Sequence, residues 1–416
     1  TVPRFHMAWG TGHGLIQALL EHLRSHPNYQ NLTVYFRHKA EGFEIENGDI
    51  KAIYGKDEKN QNSFTCKAEN FVIATGGING SLEKVRKNWH KEWKSPPETI
   101  LNGSHHFSDG FMHDKVEEIG GNITNLDLMW NYAAGIPHPY PKRKNHGLSL
   151  VPPKSALWLN YKGERMGPVP LVTSFDTRYL VTKICEQEKQ YSWQVLNKKI
   201  AYKELGVSGS EFNEGIKNKK IFSFLYSVLK GNKHLITTLE KESPNYITAN
   251  SIEELGEKMN ELTGTNDIDI SVLKNAIKSY DSNFDSGKDP CNDEQIRRIN
   301  QAREYKGDKK RTLKPQKLDQ KKAYPLIAIR EFILSRKSLG GIQTNLNSQV
   351  LKIVDLNGQQ EVFENLYAVG EAAGFGGGGS HGKRALEGTF LASCIFTAQK
   401  ASNHIIQKEP KRIKIN

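Results

Sequence analysis

The order of hydrophobic and polar positions predicts alternating helices and strands in the first 80 residues. A helical repeat covers residues 12–25, and one of its faces carries Leu15, Leu19, Leu20 and Leu23. A strand is predicted over 33–38. A hairpin follows it, because an Asn-Gly pair at 47–48 separates two further strand-like segments. A short apolar run at 70–74 is the next strand, and the order as a whole is typical of an α/β nucleotide-binding domain with a small antiparallel insert.

Polar loops and amphipathic helical segments follow residue 80, and apolar strand-like sequence returns at 325. The chain then continues to a strand, a glycine-rich loop and a helix predicted from about 385 to 406. We therefore predict three segments. They are the first part of a nucleotide-binding domain at 1–80, a capping or substrate domain at 81–324, and the C-terminal part of the nucleotide-binding domain at 325–416.

The glycine-rich loop lies within LYAVGEAAGFGGGGSHGKRALEGTF, residues 366–390. Gly374, Gly376 and Gly379 have the spacing of a dinucleotide-binding fingerprint. That motif also requires an acidic residue about 20 positions later, where this chain has Ala398 and Gln399. A dinucleotide fingerprint is therefore rejected.

Two other motifs also fit the spacing of this loop but lack a partner residue. Gly377, Gly382 and Lys383 fit a phosphate-binding P-loop, yet Arg384 stands where the motif needs Ser or Thr. A nucleophile elbow around Ser380 requires an acid and then a histidine downstream, and the short remaining tail disfavours such a triad.

Two interpretations of the loop remain: a flexible glycine loop without a ligand, and the closing part of a flavin site. Gly370-Glu371 ends the strand, and the N-terminus of the following helix offers free N–H groups and a partial positive charge. A reduced flavin carries negative charge that such a helix start favours. Glu371 is placed to hydrogen-bond a ribityl hydroxyl, since open α/β sheets bind ligands at the carboxyl edge of their strands.

Charge and cysteine content narrow the class of protein. The formal charge is +12, but the basic runs at 306–322 and 408–414 contain no aromatic residue for base stacking, so no nucleic-acid partner is predicted. No apolar run reaches the roughly 18 residues of a membrane span. The scattered cysteines predict a protein of the reducing cytoplasm. The sequence contains no HExxH motif and no tight His/Asp cluster, so no metal site is predicted. The cysteines are Cys66, Cys185, Cys291 and Cys394.

The glycine-rich segment, together with ILSRKSLGGIQTN (333–345) and NFVIATGG (70–77), closely resembles the fumarate reductase/succinate dehydrogenase flavoprotein superfamily. Within it, the chain resembles the ketosteroid-dehydrogenase-like FAD-binding branch over nearly its whole length. The resemblance implies an α/β fold: a glutathione-reductase-like FAD-binding domain with an inserted α+β capping domain. It also implies an FAD-dependent oxidoreductase that acts on a CH–CH bond next to a carbonyl, in a ketosteroid-like or other enone or carboxylate substrate.

The resemblance also implies which residues contact the cofactor. Ala40 is expected near the adenine, residues 75–77 along the FAD, and Glu371 at the ribityl chain. The residues expected to bind FAD are Ala40, Thr75, Gly76, Gly77, Gly370, Glu371, Arg384, Gly388, Thr389, Phe390 and Leu391.

Five residues are candidates for the chemistry, and for Arg178, His106 and Tyr132 the alternative is an ordinary packing or surface role. Arg178 follows a Gly-Glu-Arg turn, in a place comparable to the proton-donating arginine of dicarboxylate reductases. Lys337 stands where those enzymes have a substrate-binding histidine, and Arg330 is a further carbonyl or anion binder. His106 and Tyr132 are candidates for proton transfer.

The resembled family begins with a strand, a GxGxxG turn and a helix that hold the FAD pyrophosphate, and this chain begins at Thr1 without that unit. The sequence therefore predicts an N-terminally truncated flavoprotein. The alternatives are a non-catalytic fragment or split half that needs the missing piece, and a basic protein that binds nucleic acid or anionic surfaces. The substrate is expected to be a small molecule, and the sequence does not identify the electron acceptor or donor.

Overall fold

The computed structural model describes residues 8–167, 177–285, 287–289, 292–354, 358–374 and 389–408. They divide into two compact units. Unit 1 consists of the described residues up to Tyr29, Trp93–Gly103 and Tyr132–Leu334. Unit 2 consists of Gln30–Glu92, Ser104–Asn131 and the described residues from Ser335 onwards.

The described chain contains both helices and strands, often in runs of one type. The α-helices are α1 (Thr11–Arg24), α2 (Leu82–Lys87), α3 (Phe111–Glu118), α4 (Thr177–Cys185), α5 (Lys198–Glu204), α6 (Glu214–Lys217), α7 (Ile221–Lys230), α8 (Lys233–Glu242), α9 (Ile252–Thr263), α10 (Ile270–Asp281), α11 (Glu294–Glu304), α12 (Lys306–Arg311) and α13 (Thr389–Lys408). The strands are β1 (His38–Glu46), β2 (Asp49–Asp57), β3 (Ser63–Lys67), β4 (Phe71–Ile73), β5 (Ile100–Asn102), β6 (Ile123–Thr124), β7 (Met129–Pro137), β8 (Gly147–Val151), β9 (Leu157–Leu159), β10 (Ser192–Asn197), β11 (Gly206–Val207), β12 (Tyr246–Ala249), β13 (Leu326–Ser338), β14 (Gly341–Ile342), β15 (Gln349–Leu351) and β16 (Val362–Ala368).

The described part of unit 2 contains two three-stranded sheets and a two-stranded sheet of β6 and β14. Strands β1, β2 and β3 form an antiparallel sheet, and the turn between β1 and β2 has positive φ at Asn47 and Gly48, as the Asn-Gly pair predicts. In the other three-stranded sheet the order is β15-β16-β4, with β16 parallel to β4. Phe71, Leu366 and Met112 are among the buried residues that join both three-stranded sheets to α3.

The strand predicted over 33–38 is wrong, since β1 begins only at His38. Val34, Tyr35 and Phe36 are exposed and lie outside any strand. Aromatic and β-branched residues favour a strand only where a neighbouring strand supplies partners and buries one face. No described strand pairs with residues 32–37.

Unit 1 is built on a large sheet in which β13 is central and β10 and β12 pair with it antiparallel. The order is β11-β8-β7-β13-β10-β9, and β5 and β12 also pair with β13. Its core lies around Trp193 and the apolar faces of α8, α9 and α10. Ser251 caps helix α9: its Oγ accepts the Glu254 N–H at 3.0 Å, and the Glu254 carboxylate accepts the N–H of Asn250, the residue before the cap, at 2.7 Å.

The boundaries between the two units do not coincide with the predicted domain boundaries at 80 and 324. Helix α1 belongs to unit 1, where it packs on α6 and the Gly10 N–H donates to the Ile216 carbonyl at 3.1 Å. Helix α3 belongs to unit 2, where it packs against β1, β6 and β14. Segments that are distant in the chain therefore combine within each unit, and the roles assigned to the predicted domains stay predictions.

Candidate functional site

Two predicted cofactor-binding segments meet at one sheet edge of unit 2. Strands β4 and β16 run parallel, with Ile73 opposite Ala368, and the Val369 N–H donates to the Ile73 carbonyl at 2.9 Å. Residues 75–77 follow β4, and Gly370-Glu371 follows β16. Because parallel strands present their carboxyl ends at the same edge, these segments lie side by side where α/β sheets bind ligands.

The backbone at Gly77 approaches Glu371 so closely that a side chain has no room. A Cβ on Gly77 would lie 2.7 Å from Glu371 Oε1 and would overlap Ser338 Oγ. Gly76 has a φ of 80°, and a Cβ there would overlap Ser108 Oγ. Glycine at these two positions therefore lets the backbone pack closely against Ser108 and against the Glu371 carboxyl group.

A buried polar network fixes this carboxyl group. The Ser338 N–H donates to Glu371 Oε1 at 2.9 Å, and Ser338 Oγ donates to Asn79 Oδ1 at 2.7 Å. Ser338 Oγ also accepts the Ile78 N–H at 2.9 Å, while Asn79 Nδ2 donates to Ser335 Oγ at 2.7 Å. Ser335, Ser338 and Asn79 are fully buried, so each depends on the others for its hydrogen bonds.

Glu371 titrates near neutrality in this setting. Burial raises its pKa from 4.5 to about 7, against the opposing effects of the Ser338 N–H and of Lys337. A carboxyl group with such a pKa is present in both protonation states at neutral pH. It is therefore able to donate a hydrogen bond to a hydroxyl group or to accept one.

Lys337 places its ammonium group against two buried aromatic rings in unit 2. Its Nζ lies 5.0 Å from the ring centre of Trp130 and 5.0 Å from that of Phe390. Both rings are almost completely buried. This arrangement brings together the predicted catalytic lysine and a residue of the predicted cofactor segment.

Helix α13 packs against the turn that carries Glu371. The Gly370 N–H donates to Thr397 Oγ1 at 2.9 Å, and burial and the nearby Glu371 raise the pKa of the Cys394 thiol. Thr389 begins this helix, and the Leu391 side chain is exposed. Arg384 and Gly388, which the sequence also assigns to the cofactor, lie outside the described residues.

Three further predicted residues of unit 2, Ala40, His106 and Thr75, make no described side-chain contact with Glu371. Ala40 lies in β1 opposite Gly55, partly buried at an irregularity of the ladder. His106 is exposed and packs between His105, at 4.6 Å between ring centres, and Phe107, at 4.0 Å. Thr75 is exposed at the end of its segment.

Three of the predicted catalytic residues lie in unit 1. The Arg330 guanidinium lies 4.1 Å from the Tyr191 ring centre, and burial lowers its pKa. Arg330 Nε is buried without a hydrogen-bond partner among the described residues. Tyr132 is half-buried against the unit 1 core, and Arg178 is half-buried in the first turn of α4, where its carbonyl accepts from Thr182 Oγ1.

His138, His146 and Glu211, in unit 1, are close enough to be considered as metal ligands, since their ligand atoms lie within 4.8 Å of one another. His138 Nδ1 accepts the Tyr140 N–H at 2.9 Å, and His146 Nδ1 accepts the Lys142 N–H at 3.3 Å. A neutral imidazole that accepts at Nδ1 carries its proton on Nε2 and offers no lone pair there. The group therefore fits a hydrogen-bonded histidine pair, with His138 Nε2 donating to Glu211, better than a metal centre.

Sequence analysis missed the polar residues that hold Glu371 in place. Asn79 lies two residues after the NFVIATGG segment, and Ser338 lies within the ILSRKSLGGIQTN segment. A polar residue two positions from a glycine pair was the available signal. Their pairing was not visible, because 259 residues separate them.

Comparison with known proteins identifies the family. A family model described as an FAD binding domain matches residues 1–391. The chain belongs to this family. A KsdD-like steroid dehydrogenase of Mycobacterium tuberculosis is 37% identical over 418 residues, covering 96% of this chain and 72% of that protein. One from Mycolicibacterium smegmatis is 35% identical over 407 residues, covering 94% and 72%.

Solved structures share the fold at 15% sequence identity. The open conformation of a flavocytochrome c3 fumarate reductase has a TM-score of 0.58 and covers 94% of this chain. A 3-ketosteroid delta1-dehydrogenase from Sterolibacterium denitrificans, in complex with 1,4-androstadiene-3,17-dione, has a TM-score of 0.59 and also covers 94%. This chain spans 55% and 62% of those two chains.

These findings confirm the predicted family, its FAD cofactor and its class, the FAD-dependent oxidoreductases. The mixed α/β fold is confirmed as well, whereas the truncation and the capping arrangement stay predictions. Among the described residues, every helix is too short or too polar to cross a bilayer.

The described site fits the flavin end of FAD. The backbone at Gly77 packs directly against the carboxyl group of Glu371, at the carboxyl ends of two parallel strands. The ribityl chain of FAD carries hydroxyl groups that can donate to or accept from this carboxyl group. The chemistry of the residues present therefore agrees with the cofactor that the family uses.

Proposed function

We propose that this chain acts as an FAD-dependent dehydrogenase or reductase on a CH–CH bond next to a carbonyl, with 3-ketosteroids as the substrate class. The 37% identity to a KsdD-like steroid dehydrogenase supports this substrate class. The observation that carries the proposal is the close approach of Gly77 to Glu371, which Ser338 holds at the carboxyl edge of the sheet.

Specific residues would hold the cofactor. Glu371 would bind a ribityl hydroxyl, residues 75–77 would lie along the cofactor, and Ala40 would lie near the adenine. The start of α13, with Gly388, Thr389, Phe390 and Leu391, would meet the pyrimidine edge, and Arg384 would bind an anionic group nearby. Bound FAD would supply a hydride acceptor or donor at its N5 atom.

The remaining candidates would polarise the substrate carbonyl and move the proton. A cation near the carbonyl oxygen stabilises the negative charge that develops when the adjacent C–H bond loses its proton. Lys337 and Arg330 are the proposed cations, since each places its charged group against aromatic rings within its own unit. Tyr132, His106 and Arg178 are the proposed proton carriers.

A second candidate is that the FAD site becomes complete only when another segment pairs with β4. This three-residue strand lies at the edge of its described sheet, and Val72 in its middle is exposed. An open edge with an exposed apolar residue favours the addition of a strand. A strand, GxGxxG turn and helix, supplied separately, would fill this role.

One flavin titration separates the two candidates. FAD is titrated into the purified chain, with and without the separately produced strand–turn–helix segment, and the visible flavin absorbance is followed. Binding to the chain alone supports the first candidate, binding only to the mixture supports the second, and no binding in either case overturns both.

Substrate class is then tested with 4-androstene-3,17-dione and with fumarate in the presence of an artificial electron acceptor or donor. Turnover of fumarate alone contradicts the steroid proposal.

A further inference from the structure

Helix α7 turns its most apolar stripe towards solvent. None of its residues is buried. Four apolar residues at i, i+3, i+4 and i+7 lie on one face, which is the spacing of an amphipathic helix that covers a core. Their exposed fractions are 84% for Phe222, 47% for Leu225, 58% for Tyr226 and 64% for Leu229.

The opposite face of α7 fixes the helix to unit 1. Lys203 Nζ donates to the Val228 carbonyl at 3.1 Å, and the Trp9 ring meets the Phe224 ring edge-on at 5.7 Å. Gly231, directly after the helix, lies so close to unit 1 that a Cβ would overlap the Tyr202 carbonyl oxygen. The exposed stripe is therefore held in a fixed orientation.

Positive charge surrounds this stripe without acidic residues in the same segment. Between Glu214 and Glu240 the chain has five lysines and no Asp or Glu. All five are exposed: Lys217, Lys219, Lys220, Lys230 and Lys233. We call the stripe of Phe222, Leu225, Tyr226 and Leu229 with these lysines the α7 surface.

Neighbouring elements add to the same charge. Helix α12 packs against α7, and its last turn contains Lys309, Lys310 and Arg311. Burial and the charges of Lys310 and Arg311 lower the pKa of Lys203, which lies beneath α7. The acid of α12, Asp308, is buried and pairs with Lys154 at 3.5 Å, so it does not neutralise the α7 surface.

These observations distinguish between possible occupants. A second copy of the chain would bring two lysine-rich rims together, which like charges oppose. A ten-residue helix is about 15 Å long, half the thickness of a bilayer core, so α7 does not span a membrane. An apolar helix face with a lysine rim instead matches a helix that lies in the plane of an anionic lipid surface.

We propose that the α7 surface docks unit 1 onto a membrane surface that contains anionic phospholipids. Phe222, Leu225, Tyr226 and Leu229 enter the boundary between headgroups and acyl chains. The five lysines contact the headgroup phosphates. Trp9, exposed beside Phe224, lies at the margin of this surface and provides a spectroscopic reporter.

The test uses the full chain and sedimentation with vesicles of phosphatidylcholine, with and without phosphatidylglycerol. We expect binding to the anionic vesicles, weaker binding to the neutral ones, and release at high salt. The double variant F222S/L229S should bind about tenfold more weakly or worse, since two exposed apolar side chains no longer enter the lipid. The triple variant K217E/K219E/K220E should bind neutral vesicles as wild type does and lose its preference for anionic ones.

Control variants test whether a loss of vesicle binding comes from the α7 surface itself. Leu346 in unit 2 is 91% exposed, and L346S should leave vesicle binding unchanged. All variants change exposed residues, so their thermal unfolding temperatures should match that of wild type. If F222S/L229S unfolds at a lower temperature, F222A/L229A replaces it. Two outcomes overturn the proposal: no binding to anionic vesicles, or a concentration-dependent dimer that F222S/L229S dissociates without any effect of lipid.

Discussion

The Ser338 N–H donates to Glu371 Oε1 at 2.9 Å, while the Ser338 hydroxyl donates to Asn79 Oδ1 and accepts the Ile78 N–H. One serine thus connects the ends of two parallel strands with β13. Because Ser338 is fully buried, water cannot replace the hydrogen bonds that it makes.

We expect Ser338→Ala to lower the free energy of unfolding by about 1–3 kcal/mol, since the Ile78 N–H and Asn79 Oδ1 lose their buried partner. Urea unfolding followed by circular dichroism measures the loss. The control is Ser402→Ala on the exposed face of α13, which should change stability by less than about 0.5 kcal/mol. Equal effects of the two substitutions would contradict the buried network.

Glu371 should make stability depend on pH. Burial raises its folded-state pKa to about 7, so the folded chain keeps this proton to a higher pH than the unfolded chain. The free energy of unfolding should therefore fall as pH rises from about 4.5 to about 7, by roughly 3 kcal/mol for this group. Glu371→Gln should remove that part of the slope, and Glu58→Gln, an exposed control, should retain it. Urea unfolding at both ends of this pH range measures the difference, and identical slopes for wild type and Glu371→Gln would refute the assignment.

Gly77→Ala should displace the Glu371 carboxyl group, because the added Cβ would lie 2.7 Å from Oε1 and overlap Ser338 Oγ. We expect stability to fall by about 1–3 kcal/mol and FAD affinity to fall about tenfold or more. Flavin fluorescence titration and urea unfolding measure the two effects. Gly12→Ala is the matched control, because nothing lies within 4 Å of its Cβ position. It should leave FAD binding unchanged.

Glu331 is also a buried carboxyl group, but unlike Glu371 it accepts no hydrogen bond from the described residues. Both of its oxygens lack a hydrogen-bond partner among the described residues, and burial raises its pKa well above the usual range. Glu331→Leu should raise the free energy of unfolding at neutral pH by about 1–3 kcal/mol. The gain should shrink towards pH 4, where the unfolded chain also holds the proton. Glu240→Leu, an exposed control, should change stability by about 0.5 kcal/mol or less, and a destabilised Glu331→Leu would disprove the argument.

Lys337→Met should lower kcat/KM for a ketone substrate by about tenfold to a thousandfold, if this ammonium group polarises the carbonyl oxygen. The methionine keeps the apolar contact with Trp130 and Phe390 and removes only the charge. Lys352→Met is the control, since Lys352 lies 5.2 Å from the Phe363 ring in the same unit but pairs with Glu361. Steady-state turnover of the FAD-loaded protein measures kcat/KM for both variants. Equal activity of the two variants would exclude Lys337 from the chemistry.

Local sequence was sufficient where the structure depends on neighbours in the chain. The Asn-Gly pair at 47–48 predicts its hairpin, because only a few residue types adopt positive φ in two adjacent positions. The strand before Gly370 and the helix that ends near Lys408 were likewise predicted from their pattern. Glu371 was singled out for the same reason, since its position at a strand end is a local property.

Sequence was insufficient where a segment that is distant in the chain determines the local structure. Residues 33–36 have the composition of a strand, yet no described strand pairs with them. The α7 stripe has the pattern of a buried helix, and only the fold reveals that it faces solvent. Asn79 and Ser338 belong to different motifs, and their contact needs the whole intervening chain to be in place.

The long separation within the Ser338 network has a kinetic consequence. Its hydrogen bonds to Ile78 and Asn79 close chain loops of 260 and 259 residues, and such non-local contacts form slowly because loop closure precedes any gain in stability. Ser338 therefore gains Ile78 and Asn79 as partners only after the parts of unit 1 at Trp93–Gly103 and Tyr132–Leu334, which lie between them in the chain, have folded or collapsed. Flavin binding during refolding should then lag behind the recovery of secondary structure and report the last stage of assembly.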